Sequence, residues 1–223
     1  LLMGLNGAFL TGDLFNLFVF FEILLIASYG LLLHGGGAAR SRAGLHYVVV
    51  NLVGSSLFLF AVGTLYGVLG TLNMADLSLR VGALEASDLG LVRAAALLLF
   101  LVFALKAALV PLHLWLPGAY SAAGPASAAL FAIMTKVGAY SILRVYSLIF
   151  GVDAGPLAGL IDPWLLVLGL ITIVVGTIGA LASRRLALLV SHLVVISAGS
   201  ILTAFGIGGE AALGAGLYYT FQS

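Results

Sequence analysis

The chain comprises 223 residues with a net charge of +1; 63% of them are hydrophobic, 8% are charged, and the mean hydropathy is +1.25. A soluble domain carries roughly 25% charged residues, so this composition excludes one and specifies an integral membrane protein. The lack of a basic run excludes a nucleic-acid surface, and the absence of cysteine excludes disulfides and thiolate metal sites.

A hydrocarbon core of about 30 Å needs about 20 helical residues, and that ruler divides the chain in order. A partial span over 1–10 comes first. Six full spans follow at about 14–33, 45–69, 91–110, 126–150, 163–182 and 186–206, and a partial span over 211–223 closes the chain. The apolar runs are continuous, without the alternation of a barrel strand, so the fold class is all-α: a polytopic transmembrane helix bundle. Thr11-Gly12-Asp13 supplies a turn and an acidic cap before the first full span, and Gly35-Gly36-Gly37 ends that span. The longest polar connection is 73–90, within which 74–84 reads as a short helix at the membrane interface. Asp162-Pro163 starts the fifth full span. The chain opens on Leu1 without a basic leader and closes soon after a new apolar stretch begins. It is therefore expected to be an internal piece of a longer protein, with 1–223 forming one transmembrane domain.

Arginine placement predicts orientation. Arg40 and Arg42 follow the first full span and Arg184 and Arg185 follow the fifth, which puts all four at one membrane face, expected to be the cytoplasmic one. Arg80, Arg93 and Arg144 fall at the other face, among most of the acids, and Arg144 is expected to reach outward to the headgroups.

The only two lysines, Lys106 and Lys136, lie inside apolar runs with no acid nearby in sequence, and Glu22 is placed the same way in the first full span. Ionisable groups at membrane depth are costly and point to a proton or ion path. Lys106 stands five residues before Pro111, whose missing N–H leaves the Ala107 carbonyl without its helical partner, so a broken helix is expected there. Such breaks recur at transporter ion sites. Lys136 lies near the centre of its span, where its ammonium loses the hydration that keeps it charged and proton exchange becomes accessible. Glu22 and Lys106 gain most by meeting each other. His113, which titrates near pH 6.5 when unperturbed, is suited to carrying protons between the lysines, and His192 is a further intramembrane candidate. His34 and His46 lie near span ends, where interfacial solvation accounts for them. Thr135, Tyr140 and Ser141 flank Lys136, and Tyr120 and Ser127 lie near the break; their hydroxyls could hold ordered water or serve as interhelical glue. No phosphate loop, metal-spaced histidine pair or nucleophile triad is present, so no cofactor or metal is expected.

These residues carry a family resemblance. Gly7 through Glu22, GAFLTGDLFNLFVFFE, resembles the glutamate helix of the antiporter-like subunits shared by Mrp cation/proton antiporters and respiratory complex I, with wording closest to the D-type members of the Mrp branch. Lys106 through Pro117, KAALVPLHLWLP, and Ala129 through Tyr140, ALFAIMTKVGAY, resemble its two lysine helices, and Arg184 through Ser191, RRLALLVS, leads into the next helix as in relatives. Two departures stand out. Complex I relatives often carry an acid and a histidine where this chain has Gly118 and Tyr120, and Gly124-Pro125 alters the usual loop. The first departure favours the Mrp branch.

The resemblance implies inverted five-helix repeats, with this chain running from the end of the fourth helix to the start of the eleventh. It implies that Glu22 and Lys106 form a modulating pair and that Lys136 passes protons toward a further lysine in the second repeat. The expected function is that of a proton-translocating subunit of a multisubunit Na⁺/H⁺ antiporter: a transporter subunit and not an enzyme. It would work beside other membrane subunits as a multi-pass protein of the bacterial inner membrane. The alternatives are a proton-pumping subunit of NADH:quinone oxidoreductase or of a membrane-bound hydrogenase, and a non-conducting membrane scaffold.

Overall fold

The computed structural model describes residues 1–223. Ten helices run in the order α1 (Leu2–Leu10), α2 (Leu14–Leu33), α3 (Ala38–Leu69), α4 (Met74–Gly82), α5 (Leu89–Lys106), α6 (Trp115–Ala122), α7 (Pro125–Leu148), α8 (Asp162–Ala182), α9 (Leu186–Ile207) and α10 (Gly209–Gln222), with 3-10 turns at Leu112–Leu114 and Gly155–Leu157. Six segments are long and apolar enough to cross a membrane: α2, α3, α5, α7, α9 and the segment Gly155–Ala182 that contains α8.

Local chemistry sets the helix ends. The Asp13 carboxylate accepts from Phe15 N and Asn16 N, both at 2.9 Å, and so satisfies two of the free donors that open α2. Asn73 does the same for α4, accepting from Ala75 N at 3.0 Å and Asp76 N at 3.2 Å. The two caps are neighbours, because Leu14 N bonds Leu72 O at 2.9 Å and Met74 N bonds Gly12 O at 2.8 Å. The starts of α2 and α4 therefore share one end of the bundle. At the other end, Arg40 Nε donates to Ala122 O at 3.1 Å, and Arg40 and Arg185 line a common cavity of about 670 Å³ with Gly35 and Gly118. Two of the four arginines grouped by sequence, Arg40 and Arg185, thus converge in space.

Lipid tails are as apolar as leucine, so helices in a membrane associate by close packing and polar contacts and not by escape from water. Glycines supply the close approaches. A Cβ on Gly7 of α1 would lie 2.2 Å from the Phe20 ring of α2, and one on Gly199 of α9 would lie 3.0 Å from the Ile173 nitrogen of α8. Inside, Phe21, Phe58 and Phe103 bring α2, α3 and α5 together with ring centroids 5.3 to 6.3 Å apart. Large apolar side chains such as Val167, Val174 and Ile178 on α8 face outward, as lipid contact requires.

The expected span over 91–110 is shorter than the sequence suggests. Helix α5 stops at Lys106, and Ala108 adopts a left-handed φ of 57°. The physical reason is the run of unpaired backbone groups ahead of Pro111, which the surrounding protein takes up. Leu109 N reaches back to Ala104 O at 2.9 Å, Val110 N donates to Thr172 Oγ1 of α8 at 3.0 Å, and the Trp115 indole donates to Leu105 O at 3.0 Å. Irregular backbone at membrane depth persists where such partners exist. The segment after the break re-forms as α6, which periodicity alone did not reveal. Helix α3 begins at Ala38, seven residues ahead of the expected span.

Candidate functional site

Four helices deliver the buried polar groups. Glu22 is half-buried on α2, Asn51 and Ser55 are buried on α3, Lys106 ends α5 at 4% exposure, and Lys136 sits on α7 at 5%. The expected direct pairing of Glu22 with Lys106 is corrected. The only ion pair in the structure joins Arg80 and Asp76 on α4, so Glu22 and Lys106 are more than 4.0 Å apart. Each is bonded to α3 instead. Ser55 Oγ donates to Glu22 Oε1, and Lys106 Nζ donates to Asn51 Oδ1 at 3.2 Å. The Phe21 ring centroid lies 6.0 Å from Lys106 Nζ, and the charge of Glu22 acts on Lys106 through space. Beyond 4 Å, at an effective dielectric near 20, that attraction stays below about 4 kcal/mol.

Lys136 is handled differently: it is buried yet has no hydrogen bond or ion pair to protein. The hydroxyls expected around it serve backbone carbonyls. Thr135 Oγ1 bonds Ala132 O at 3.0 Å, Ser141 Oγ bonds Val137 O at 2.8 Å, and Tyr140 OH bonds Phe9 O of α1 at 3.0 Å. Two residues beyond Lys136, Gly138 lets α7 press on the break, since a Cβ there would come 2.5 Å from Ala107 N and 2.8 Å from the Lys106 carbonyl carbon. The two lysines therefore sit on segments in backbone contact.

Arg144 also departs from expectation. It turns inward, donating to Phe9 O at 2.9 Å and to the Tyr140 hydroxyl. The carbonyls closing α1 have no helical donor, and a cation there answers them.

His113 lies in the 3-10 turn after Pro111, with its Nδ1 buried and without a partner. His192 on α9 is within electrostatic reach of it. The His192 Nδ1 lies 2.9 Å from Leu188 O, which can only accept, so that nitrogen donates. Neither histidine touches a lysine. Tyr120 bonds Phe131 O at 2.6 Å and Ser127 bonds Leu31 O at 3.4 Å, so both act here as helix ties.

Asn51 and Ser55 were missed by sequence reasoning. Their signal was available: an amide and a hydroxyl four residues apart, mid-way along an apolar span, share one helix face. Ser28 and Tyr47, whose hydroxyls meet at 2.8 Å between α2 and α3, were missed for the same reason.

The model of the NADH:quinone oxidoreductase/Mrp antiporter transmembrane family matches residues 11–223. The chain belongs to this family. It is 51% identical over its whole length to the D-type subunit of a probable K(+)/H(+) antiporter of Rhizobium meliloti, of which it covers 41%. It is 46% identical to the corresponding D-type subunit of the Na(+)/H(+) antiporter of Bacillus subtilis, with 98% of this chain and 43% of that protein aligned. Among solved structures, a chain of the Mrp complex from Dietzia sp. DQ12-45-1b superposes with a TM-score of 0.85 and 36% identity, over 97% of this chain and 40% of that one. The chain thus spans about two-fifths of the length of the relatives it matches. In this chain, α5 and α7, which carry Lys106 and Lys136, meet at the α5 break.

Proposed function

We propose that this chain is the proton-translocating part of a membrane subunit of a monovalent cation/proton antiporter. In that reading it sits in the bacterial plasma membrane with other membrane subunits and uses the proton gradient to export Na⁺. The observation that carries the reading is the arrangement of Glu22, Lys106 and Lys136 on three packed helices around a stitched helix break. Likeness to antiporter subunits whose names record K(+)/H(+) and Na(+)/H(+) exchange supports the transported ions.

Three of the chain's properties set the mechanism. Lys136 has no protein partner, so it can gain and lose a proton without breaking a bond to the scaffold. Its helix presses on the backbone at Lys106, so a charge arriving on Lys136 repels the ammonium of Lys106 and shifts it relative to Glu22. Glu22 and Lys106 lie close enough to feel each other and too far apart to lock, so the pair can take two arrangements. Protonation of Lys136 then gates the pair, and the proton leaves toward the part of the subunit beyond this chain. His113 and His192 stand at the Arg40 and Arg185 end of the bundle and are proposed to connect that face with the break.

The test uses everted membrane vesicles from cells carrying the full-length chain and its partner subunits, with Na⁺- and K⁺-driven proton release read by a fluorescent pH probe. E22Q and K136A are expected to abolish release while the complex still assembles. Wild-type release in either variant refutes the relay. The proton-pumping reading, as a subunit of NADH:quinone oxidoreductase, requires quinone-reducing subunits to copurify.

A further inference from the structure

Helix α3 carries no charge at membrane depth, yet it touches both members of the Glu22 and Lys106 pair. Asn51 and Ser55 are 1% and 6% exposed and stand one turn apart on the same face. The Asn51 amide is oriented unambiguously. Its Nδ2 donates to Tyr47 O at 2.9 Å, and its Oδ1 accepts from Lys106 Nζ, because a carbonyl can only accept and an ammonium can only donate. Gly54 lies between them, and a Cβ there would meet Leu105 Cδ2 at 2.6 Å with Lys106 Cε at 3.9 Å. The notch at Gly54 brings the end of α5 against α3 and sets the lysine over the amide.

We propose that Asn51 and Ser55 are positioning residues that form a neutral rung, holding Glu22 and Lys106 apart while bonding each of them. The reading rests on the proton relay proposed above. Its physical content is that the rung accommodates every charge state of the pair. A hydroxyl both donates and accepts, so Ser55 can donate to ionised Glu22 or accept from the protonated acid while turning its own proton to the Asn51 carbonyl one turn earlier. Asn51 Oδ1 accepts an N–H from Lys106 whether that amine is charged or neutral. A closed ion pair lacks this tolerance, since removal of one proton leaves a buried partner unpaired. Among the titratable groups on the helices packed around the rung, Tyr29 on α2 lies within reach of the Glu22 charge, Tyr47 on α3 and Tyr120 on α6 follow it, and α7 carries Lys136; α1 has none. The Tyr47 and Tyr120 hydroxyls are held by Ser28 and by Phe131 O, which leaves Tyr29 as the nearby hydroxyl able to respond with the pair.

The experiment compares N51L, S55A and S55T in the full-length chain within its assembled complex, beside E22Q as reference. Two readouts are taken: the pH profile of cation-driven proton release, and the infrared carboxylate band of Glu22, isolated by subtracting the E22Q spectrum. Loss of one hydrogen bond to a charged group is expected to move the profile midpoint by on the order of one pH unit in N51L and S55A. The Glu22 band is expected to shift in S55A and to return in S55T, which keeps the hydroxyl. Wild-type profiles and an unmoved band in assembled N51L and S55A overturn the rung. If N51L does not assemble, S55A and its rescue by S55T decide the matter, being the smaller change. If E22Q itself transports normally, the relay has failed, and the infrared band still reports whether Ser55 bonds Glu22.

Discussion

The two lysines are both buried residues and are held in opposite ways. Around Lys106 every charged group has a protein partner: Asn51 for the ammonium, Ser55 for Glu22, and Thr172 and Trp115 for the broken backbone. Around Lys136 the neighbouring hydroxyls turn to backbone carbonyls, and the ammonium has none. The protein thus ties down one lysine and leaves the other without a tie. In the proposed relay, the first region holds a geometry and the second changes its charge.

The contrast can be broken outright by deleting its chemistry. K136A is expected to lower cation-driven proton release in vesicles by at least tenfold, with wild-type amounts of assembled complex on native gels; normal release would remove Lys136 from the path. A smaller effect should follow from separating the regions. In G138A the new methyl meets Ala107 N at 2.5 Å, so α7 must back away from the break. Overpacking of this kind costs about 1–3 kcal/mol, to be read as a lower thermal midpoint of the purified complex together with reduced transport.

Loosening only the held region should cost less transport than stability. T172V keeps the side-chain shape but strands the Val110 N–H, an expected loss of about 1–3 kcal/mol measurable by thermal unfolding. The smallest effect should come from outside both regions. Asp76 is partly exposed, and its hydrogen bond from Arg80 holds the carboxyl below the usual carboxylate range. Its contribution is therefore present above the ordinary carboxylate range and fades as the pH falls through the lowered value. D76N should leave transport unchanged, slightly lower thermal stability at neutral pH and flatten its fall in acid, where the wild-type contribution has already faded; a transport defect would tie α4 to the relay.

Much of this was legible in the chain. The spans at 14–33, 163–182 and 186–206 agree with helices at Leu14–Leu33, Asp162–Ala182 and Leu186–Ile207, because hydropathy and caps are local properties. The break before Pro111 was equally visible. What remained hidden was α6, whose Trp115 and Pro117 give no clear period, and the inward turn of Arg144, which depends on the carbonyls that end α1.

The sequence by itself determined a membrane-spanning helical chain with three ionisable groups at depth and a helix that had to break, since apolar run length, charge placement and a proline's missing N–H need no knowledge of neighbours. Only the tertiary structure decided that Glu22 answers to Ser55, 33 residues away, and Lys106 to Asn51, 55 residues away. The reason is geometric: in an apolar helix every face is equally hydrophobic, so hydropathy does not encode rotation about the helix axis. That rotation is set by where a glycine such as Gly54 or Gly138 lets two backbones close.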